Sequence, residues 1–368
     1  MQVKGFEGVR LSVEQAEASL DAVADRLSIP RSSRKSNEFN VLAISGGGAG
    51  GAFGAGVLVG LSAAGRRPDF AIVTGVSTGA LIAPFAFLGP AWDERLRDAY
   101  TGGHAAAALR IAGLSPVLDA GLFRAGALER LIHPFVDDAL VAAVAEQHRL
   151  GRRLLVATTD LDSQKPCIWD MGEIAARSGA QAVAMFREVL AASASLPGLF
   201  PPRRFTCEAD GVAYEEVHVD GGVAAPLFVM PETLIRWRKL GRRMHRGRIY
   251  VIVNAVLDPA PRTTSLSLPA ILARSFDTML RVSYRQALNV AATFCAANNL
   301  PLSVASIPGS PEAGDSGAMF SFDTPSMRRM FDAAAALAQD PGFWRTPVAR
   351  AEPWNDVLGR FRFRAGPG

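Results

Sequence analysis

A serine stands between two glycines where a short apolar run gives way to a helix-like segment. The sequence Gly75-Val-Ser77-Thr-Gly79 follows the strand-like FAIVT and precedes the helix-like ALIAPFAFL. A strand, a sharp turn and a helix are the setting in which G-x-S-x-G exposes a nucleophilic hydroxyl, and the helix N-terminus favours negative charge beside it. The spacing predicts that Ser77 is a nucleophile, with a structural serine at the start of a helix as the alternative.

A carboxylate followed by two glycines ends a second strand-like run. Asp220-Gly221-Gly222 comes directly after EEVHV. Ligands bind at the carboxyl edge of the sheet in open α/β folds, so this position places an acid where a substrate would lie. Asp-Gly is also a common turn pair, and the motif alone does not separate the two interpretations.

A glycine-rich segment, SGGGAGGAFG at 45–54, follows the apolar run VLAI. Glycines let the backbone approach a ligand and turn N–H groups toward an anion. Gly46, Gly48 and Gly51 fit G-x-G-x-x-G, and Asp69 follows at a distance suited to a ribose-binding acid. A dinucleotide-binding turn is therefore one interpretation, and a tight strand–helix turn without a ligand is the other.

A fourth segment, ASASLPGLFPP at 192–202, leads small residues into a proline cluster and by itself indicates only a helix stop with close packing. Together the four segments resemble the patatin-like phospholipase family. They occur in the family's order: the glycine loop, the Ser77 turn, Ser193-Ala-Ser-Leu-Pro197 and Asp220-Gly221-Gly222. The resemblance covers most of the chain, from about Asn40 to Gln339.

This resemblance implies a three-layer α/β/α fold with a mostly parallel central sheet and helices on both faces. It implies a Ser–Asp dyad, in which Ser77 is the nucleophile and Asp220 accepts its proton, with neither metal nor cofactor. The implied activity is lipid acyl hydrolysis of the phospholipase A or lysophospholipase type, on phospholipids, lysophospholipids or neutral glycerolipids. The implied oxyanion hole consists of Gly46, Gly47 and Gly48. The glycines expected to support these motifs are Gly51, Gly75, Gly79, Gly221 and Gly222.

One position departs from the family pattern. Where the family commonly has arginine or lysine after G-G-G-x, this chain has Gly50. The missing cation weakens the expected stabilisation of an oxyanion and the expected affinity for anionic head groups. The alternative that this chain is a catalytically weak or silent member of the family, which binds lipid or protein, therefore stays open. A dinucleotide-binding oxidoreductase is a further alternative, although it leaves Ser77 and Asp220 unexplained.

The five histidines bear on whether a third catalytic residue is needed. All of them follow Ser77, which excludes the chain orders of the chymotrypsin and subtilisin triads. The α/β-hydrolase order requires a histidine after Asp220, and only His245 qualifies, within the basic sequence RRMHRGR. His218 lies two residues before Asp220 on the same strand face, where we expect it to pack or to hydrogen-bond. The pattern favours a dyad.

Alternating strands and helices must position these motifs. Continuous apolar runs predict strands buried on both faces of a parallel sheet. These runs are Phe39–Ser45, Phe70–Gly75, Arg153–Thr159, Arg248–Ala255 and Leu302–Ile307, and a hairpin is predicted from Arg203–Cys207 and Val212–Val219. Helices are predicted over 12–27 and 232–248. A further helix is predicted near the C-terminus, with Thr324 as its N-cap and Pro325 as its first residue.

The elements suggest three segments. We expect an N-terminal helix and polar linker at 1–38, a patatin-like phospholipase domain at 39–340, and a C-terminal tail with little regular structure at 341–368.

The composition is that of a soluble globular protein, with 368 residues, of which 49% are apolar and 20% charged. A net charge of +4 is too weak to indicate nucleic acid. The basic face at 236–248 lacks interleaved aromatics, although it could hold anionic lipid. Three scattered cysteines and the absence of histidine pairs at i, i+4 indicate neither a disulfide framework nor a metal site.

No secretory signal and no bilayer-spanning run is visible in the sequence. We therefore expect a cytoplasmic or peripheral membrane protein, or one exported by a route that needs no such signal. Its expected partner is a phospholipid or other acyl lipid, in solution or at a membrane surface.

Overall fold

In the computed structural model, the described residues are 2–11, 39–109, 126–209, 211–228, 247–258, 261, 263–309 and 322–346. Their strands form one ten-stranded sheet, and helices pack on both of its faces. The strands are β1 Gln2–Val3, β2 Arg10–Leu11, β3 Asn40–Ile44, β4 Phe70–Val76, β5 Arg153–Asp160, β6 Lys165–Asp170, β7 Arg203–Ala209, β8 Val212–Asp220, β9 Arg248–Val256 and β10 Leu302–Ile307. The helices are α1 Gly51–Ala63, α2 Thr78–Leu88, α3 Asp93–Thr101, α4 His104–Ala108, α5 Ala127–Ile132, α6 Asp138–Arg149, α7 Met171–Ala176, α8 Gly179–Ser193, α9 Leu268–Ala297 and α10 Thr324–Leu337.

The centre of the sheet is parallel. Strands β10, β9, β3, β4 and β5 lie side by side in that order and run in the same direction. Beyond β5 the sheet becomes antiparallel, where β8, β7 and β1 continue it and β6 and β2 branch from β5. A central sheet that is mostly parallel and covered by helices is the predicted α/β class, which is therefore confirmed.

Strand β3 shows why its sequence is a continuous apolar run. All five of its residues are buried. Successive side chains of a strand point to opposite faces of the sheet. Leu42 belongs to a hydrophobic cluster that includes Phe331 of α10, and Val41 belongs to a second cluster that includes Leu288 of α9. Helices cover both faces, which explains why the four residues from Val41 to Ile44 are all apolar.

The strand register brings the chemical motifs to one level of the sheet. Strands β3 and β4 are parallel, so the glycine-rich loop after β3 and the serine turn after β4 leave from the same edge. Val76 pairs with Ala157 of β5, and the next residue of β5, Thr158, pairs with Asp220. Ser77 is one residue past Val76, so it reaches the level of Asp220. Strand β8 is antiparallel to β5, yet it ends beside the carboxyl end of that strand.

The five strands predicted from apolar runs are confirmed to within one residue at each end, and the predicted hairpin is formed by β7 and β8. The predicted cap of α10 was wrong by one residue. The N-cap is Asp323, whose side chain accepts a hydrogen bond from the N–H of Ser326 at 2.9 Å. An N-cap side chain accepts a hydrogen bond from the N–H two or three residues later, which is the relation of Asp323 to Ser326. Thr324 is therefore the first residue of the helix and not its cap.

Several predictions lie wholly or mostly outside the described residues: the helix at 12–27, the linker that ends at residue 38, the helix at 232–248 and the tail at 341–368. The end of the helix predicted at 232–248 was wrong, because Arg248 begins β9. The division into three segments stays a prediction. Among the helices that the structure describes, none is both long and apolar enough to cross a membrane.

Candidate active site

Ser77 occupies a strained turn between β4 and α2. Its backbone has a φ of 56° and a ψ of −127°, a conformation that residues other than glycine rarely adopt. The turn packs closely on both sides. A Cβ added to Gly75 would lie 2.5 Å from the carbonyl oxygen of Gly79, and one added to Gly79 would lie 2.5 Å from that of Ser45. Both positions therefore require glycine, and the strain is confined to Ser77.

The last residue of α8 and the segment that follows it hold this turn in place. The hydroxyl of Ser193 accepts a hydrogen bond from the N–H of Ser77 at 3.0 Å and donates one to the carbonyl oxygen of Ala157 at 2.7 Å. The carbonyl oxygen of Ser195 accepts a hydrogen bond from the N–H of Asp220 at 2.9 Å. The segment that by sequence indicated only a helix stop thus connects the serine turn to the strand that carries Asp220.

The side chains of Ser77 and Asp220 are hydrogen-bonded. The Ser77 hydroxyl donates to Oδ2 of Asp220 at 2.6 Å, and the N–H of Gly222 donates to Oδ1 at 2.7 Å. Only 2% of the surface of Asp220 is exposed. Burial raises the pKa of Asp220 from 3.8 to about 7, while the hydrogen bonds from Ser77 and Gly222 oppose that shift. The result is a carboxylate that is more basic than usual and already bonded to a hydroxyl proton.

Of the three N–H groups that were expected to form the oxyanion hole, the glycine loop leaves two without an acceptor among the described residues. Among the described residues, the N–H groups of Gly47 and Gly48 have no hydrogen-bond acceptor. The expected role of Gly46 as a donor was wrong, because its N–H donates to the carbonyl oxygen of Pro226 at 3.2 Å. Gly46 instead provides clearance, since a Cβ added there would lie 3.1 Å from Cβ of Ser77.

The remaining motif glycines allow close packing around the site. A Cβ on Gly51 would overlap the Thr78 hydroxyl, and one on Gly221 would overlap the carbonyl oxygen of Ala157. Asp69 does not lie with them. It is exposed and precedes β4, whereas the glycine loop follows the carboxyl end of the parallel strand β3. The expectation of a ribose-binding acid at Asp69 was wrong, because the two features lie at opposite edges of the sheet.

The position where the family commonly has a cation is closed in this chain. A Cβ on Gly50 would overlap the carbonyl oxygen of Asn254 and would lie 3.3 Å from Cδ1 of Ile307. The end of β9 packs directly against the loop at this point. Gly50 is therefore a steric requirement of this fold and not only the loss of a charge.

An apolar pocket opens at Ser77 and Asp220. It has a volume of about 1110 Å³, counting its open mouth. The glycine loop, Ser77, Asp220 and the hydroxyl-bearing side chains Thr78, Tyr100 and Tyr284 supply its polar lining. The rest is mainly aliphatic or aromatic and includes Phe85, Leu128, Leu131, Leu190, Phe200 and Leu280. A lining of this composition suits a ligand with a hydrocarbon part and one polar reacting group.

His218 is fully buried beside the site, and its ring nitrogens have other partners. Nδ1 lies 2.8 Å from the Thr158 hydroxyl and Nε2 lies 3.1 Å from the Glu216 carboxylate. The ring also packs edge-on against Trp169 and Phe205. Among the described histidines, none is hydrogen-bonded to Ser77 or Asp220. His245 lies outside the described residues.

The geometry is that of an α/β protein with a serine–carboxylate pair at the sheet edge. A sequence profile of the family described as patatin-like phospholipase matches residues 42–232. This match spans half of the chain, which therefore belongs to the patatin-like phospholipase family. At the level of the family, the activity is lipid acyl hydrolysis.

Comparison with solved structures finds VipD from Legionella pneumophila. The two chains are 14% identical, the match covers 81% of this chain and 68% of VipD, and the TM-score is 0.31. Comparison with curated protein sequences gives no match.

Restoring the family's cation is expected to damage this protein. Gly50→Arg should lower kcat at least about tenfold and lower Tm, because overpacking of a closed site typically costs ~1–3 kcal/mol. Gly50→Ala is the control, since it adds the same Cβ without the charge. The steric explanation requires both variants to lose activity in esterase and thermal-unfolding assays, and a Gly50→Arg enzyme more active than the native one would contradict it.

Proposed function

We propose that this protein hydrolyses the carboxylic esters of acyl lipids with Ser77 as nucleophile and Asp220 as general base. The observation that carries the proposal is the 2.6 Å hydrogen bond from a strained, pocket-facing serine to a buried carboxylate. Family membership supports the reaction class, and the apolar pocket supports an acyl chain as the bound group.

In the first half of the reaction, the Ser77 oxygen attacks the ester carbonyl carbon while its proton passes to Oδ2 of Asp220. The carbonyl π electrons move to the oxygen, which becomes an oxyanion. When the tetrahedral intermediate collapses, the bond to the alcohol breaks and the alcohol takes the proton from Asp220. An acyl-serine remains.

In the second half, water attacks the acyl-serine and gives its proton to Asp220. Collapse of the second intermediate releases the fatty acid and returns the proton to the oxygen of Ser77. One carboxylate therefore serves both halves, which requires a base that binds and releases a proton near neutral pH. Burial prepares Asp220 for this role by raising its pKa to about 7.

The proposed oxyanion hole is formed by the N–H groups of Gly47 and Gly48. Neither has a protein acceptor among the described residues, so both are available to a developing negative charge. Removal of one such donor typically costs ~10²–10³ in rate. Backbone donors held in place lose little entropy when the charge forms, which offsets the missing cation at Gly50.

Phospholipids, lysophospholipids and neutral glycerolipids are the proposed substrates, because each presents an ester beside a hydrocarbon chain. The proposed setting is the cytoplasm or the surface of a membrane, where the acyl chain can enter the pocket from a lipid aggregate.

Ser77→Ala is expected to abolish hydrolysis of nitrophenyl and phospholipid esters, together with covalent labelling by a fluorophosphonate. Ser303→Ala is a matched control, because Ser303 is also buried but bonds Arg248 on the neighbouring strand. That variant should keep both activities. Labelling of Ser77→Ala at native stoichiometry, located by peptide mass spectrometry, would show that another residue is the nucleophile.

Asp220→Asn keeps the size of the side chain but removes the base. We expect kcat to fall by ~10²–10⁴ with little change in KM, since proton transfer occurs in the transition state. Asp170→Asn is the control, because Asp170 is likewise buried but caps α7. It should affect Tm more than kcat. A loss of less than about tenfold in Asp220→Asn would reduce Asp220 to a turn residue.

The raised pKa of Asp220 also predicts two pH dependences. kcat/KM should fall as the pH drops below about 7, because only the carboxylate can accept the proton. Burial favours the protonated form of Asp220. The stability that this protonated carboxyl contributes to the folded protein is therefore complete below pH 3.8, and it is lost as the pH rises through about 7. Asp220→Asn should therefore gain Tm relative to the native protein between pH 5 and pH 8. A flat profile of kcat/KM down to pH 5 would be inconsistent with this base.

A further inference from the structure

Strand β9 extends past the end of its neighbour at the glycine loop. β3 and β9 are parallel, and Ile44, the last residue of β3, pairs with Ile252. β9 continues to Val256, so Asn254 lies two residues beyond the end of β3 and on the same face as Ile252. An asparagine that interrupts the apolar run RIYVIVNAV is thus placed beside the loop that follows β3.

Asn254 is 1% exposed and makes three hydrogen bonds to the loop and to the helix after it. Its backbone N–H donates to the Ser45 hydroxyl at 2.9 Å, and its Nδ2 donates to the carbonyl oxygen of Ser45 at 2.8 Å. Its Oδ1 accepts a hydrogen bond from the N–H of Gly54 at 3.1 Å. Only an amide offers a donor and an acceptor together at these two positions.

These bonds determine the direction of the N–H groups in the loop. The Ser45 hydroxyl, which accepts a hydrogen bond from the backbone N–H of Asn254, donates to the carbonyl oxygen of Gly46 at 2.6 Å, while the Asn254 side chain holds the carbonyl oxygen of Ser45 itself. The peptide bond is planar and trans, so a carbonyl held on one side directs the following N–H, that of Gly47, to the other side. The carbonyl oxygen of Gly47 is held in turn by the N–H of Gly50 at 3.0 Å, which directs the N–H of Gly48.

The backbone of Asn254 also sets the shape of the loop. Its carbonyl oxygen occupies the space that a Cβ on Gly47 or on Gly50 would need. Gly47 has a φ of 149° and Gly48 a φ of 56°, both in the region that favours glycine. The loop therefore follows the surface of Asn254 in a conformation that few other sequences could adopt.

We propose that Asn254 is a positioning residue that aims the N–H groups of Gly47 and Gly48 at the reacting carbonyl oxygen. The proposal rests on the proposed function, because it assigns Asn254 to the oxyanion hole of that reaction. Asn254 is not among the residues that line the pocket, so it acts through the loop and not on the substrate.

Asn254→Asp tests this role with almost no change in shape. The variant loses the donor to Ser45 and places a second acceptor against its carbonyl oxygen. We expect kcat on a nitrophenyl ester to fall about tenfold to hundredfold, a large part of the ~10²–10³ that one oxyanion donor contributes. KM should stay within about twofold, because the apolar side chains that line the pocket are untouched.

A second measurement distinguishes a misdirected oxyanion hole from a general loss of protein stability. A long-chain trifluoromethyl ketone, which forms an oxyanion on the serine, should bind Asn254→Asp more weakly by the same factor as kcat/KM falls. A long-chain alcohol, which only fills the pocket, should inhibit the variant and the native enzyme equally. Asn40→Asp is the matched control, since Asn40 is also 1% exposed but lies at the other end of β3. It should keep kcat even if its Tm falls.

If Asn254→Asp does not fold, Ser45→Ala decides, because it removes the hydroxyl that holds the carbonyl of Gly46. It should lower kcat and ketone affinity together. Folded variants that keep native kcat, or that lose ketone and alcohol binding equally, would overturn the role of Asn254. These failures differ from a failure of the proposed function, which would leave the native enzyme inactive or Ser77→Ala active.

Discussion

The site depends on a carboxylate that is held away from water and bonded to a single hydroxyl. Moving Asp220 from a pKa of 3.8 to about 7 costs its charged form about 4 kcal/mol, at ~1.36 kcal/mol per unit. The fold must supply that free energy from the packing around β5 and β8. In the proposed mechanism, this raised pKa makes the carboxylate basic enough to take a proton from Ser77 without help from an imidazole. The neighbouring His218 does not share this task, because Thr158 and Glu216 occupy its nitrogens.

The second constraint is the close approach of three backbone segments at the sheet edge. The serine turn, the glycine loop and the end of β9 meet with no room for side chains at Gly47, Gly50, Gly75 and Gly79. Within the part of the chain that the structure describes, this packing leaves the N–H groups of Gly47 and Gly48 without acceptors in the pocket that Ser77 also lines. It also leaves no room at Gly50 for the cation expected from the family pattern. In the proposed mechanism the chain relies on backbone N–H dipoles instead, and we propose that the hydrogen bonds of Asn254 aim them.

The sequence predicted the parts of this structure that depend on local pattern. The core strands follow from apolar runs, and Ser77 and Asp220 follow from motifs that the register of β4, β5 and β8 brings together. The long helix α9 was not among the predicted elements, although Leu280, Tyr284 and Leu288 recur at helical spacing on its buried face. The use of the Gly46 N–H and the contacts of Asn254 were not predictable either. They join residues about 180 and 209 positions apart, and patterns within short stretches of sequence do not reveal which distant residues come into contact.

The most direct test of this account is the protonation state of Asp220 itself. Carbon-13 NMR of protein labelled at aspartate carboxyls, assigned with Asp220→Asn, can follow this group from pH 4 to pH 9. We predict a midpoint near pH 7 that coincides with the fall in kcat/KM. The midpoint should move higher in Ser77→Ala, because the hydrogen bond from Ser77 lowers the pKa of Asp220. A midpoint near the ordinary value of 3.8, or one that Ser77→Ala leaves unchanged, would contradict the claim that a buried carboxylate serves as the base of Ser77.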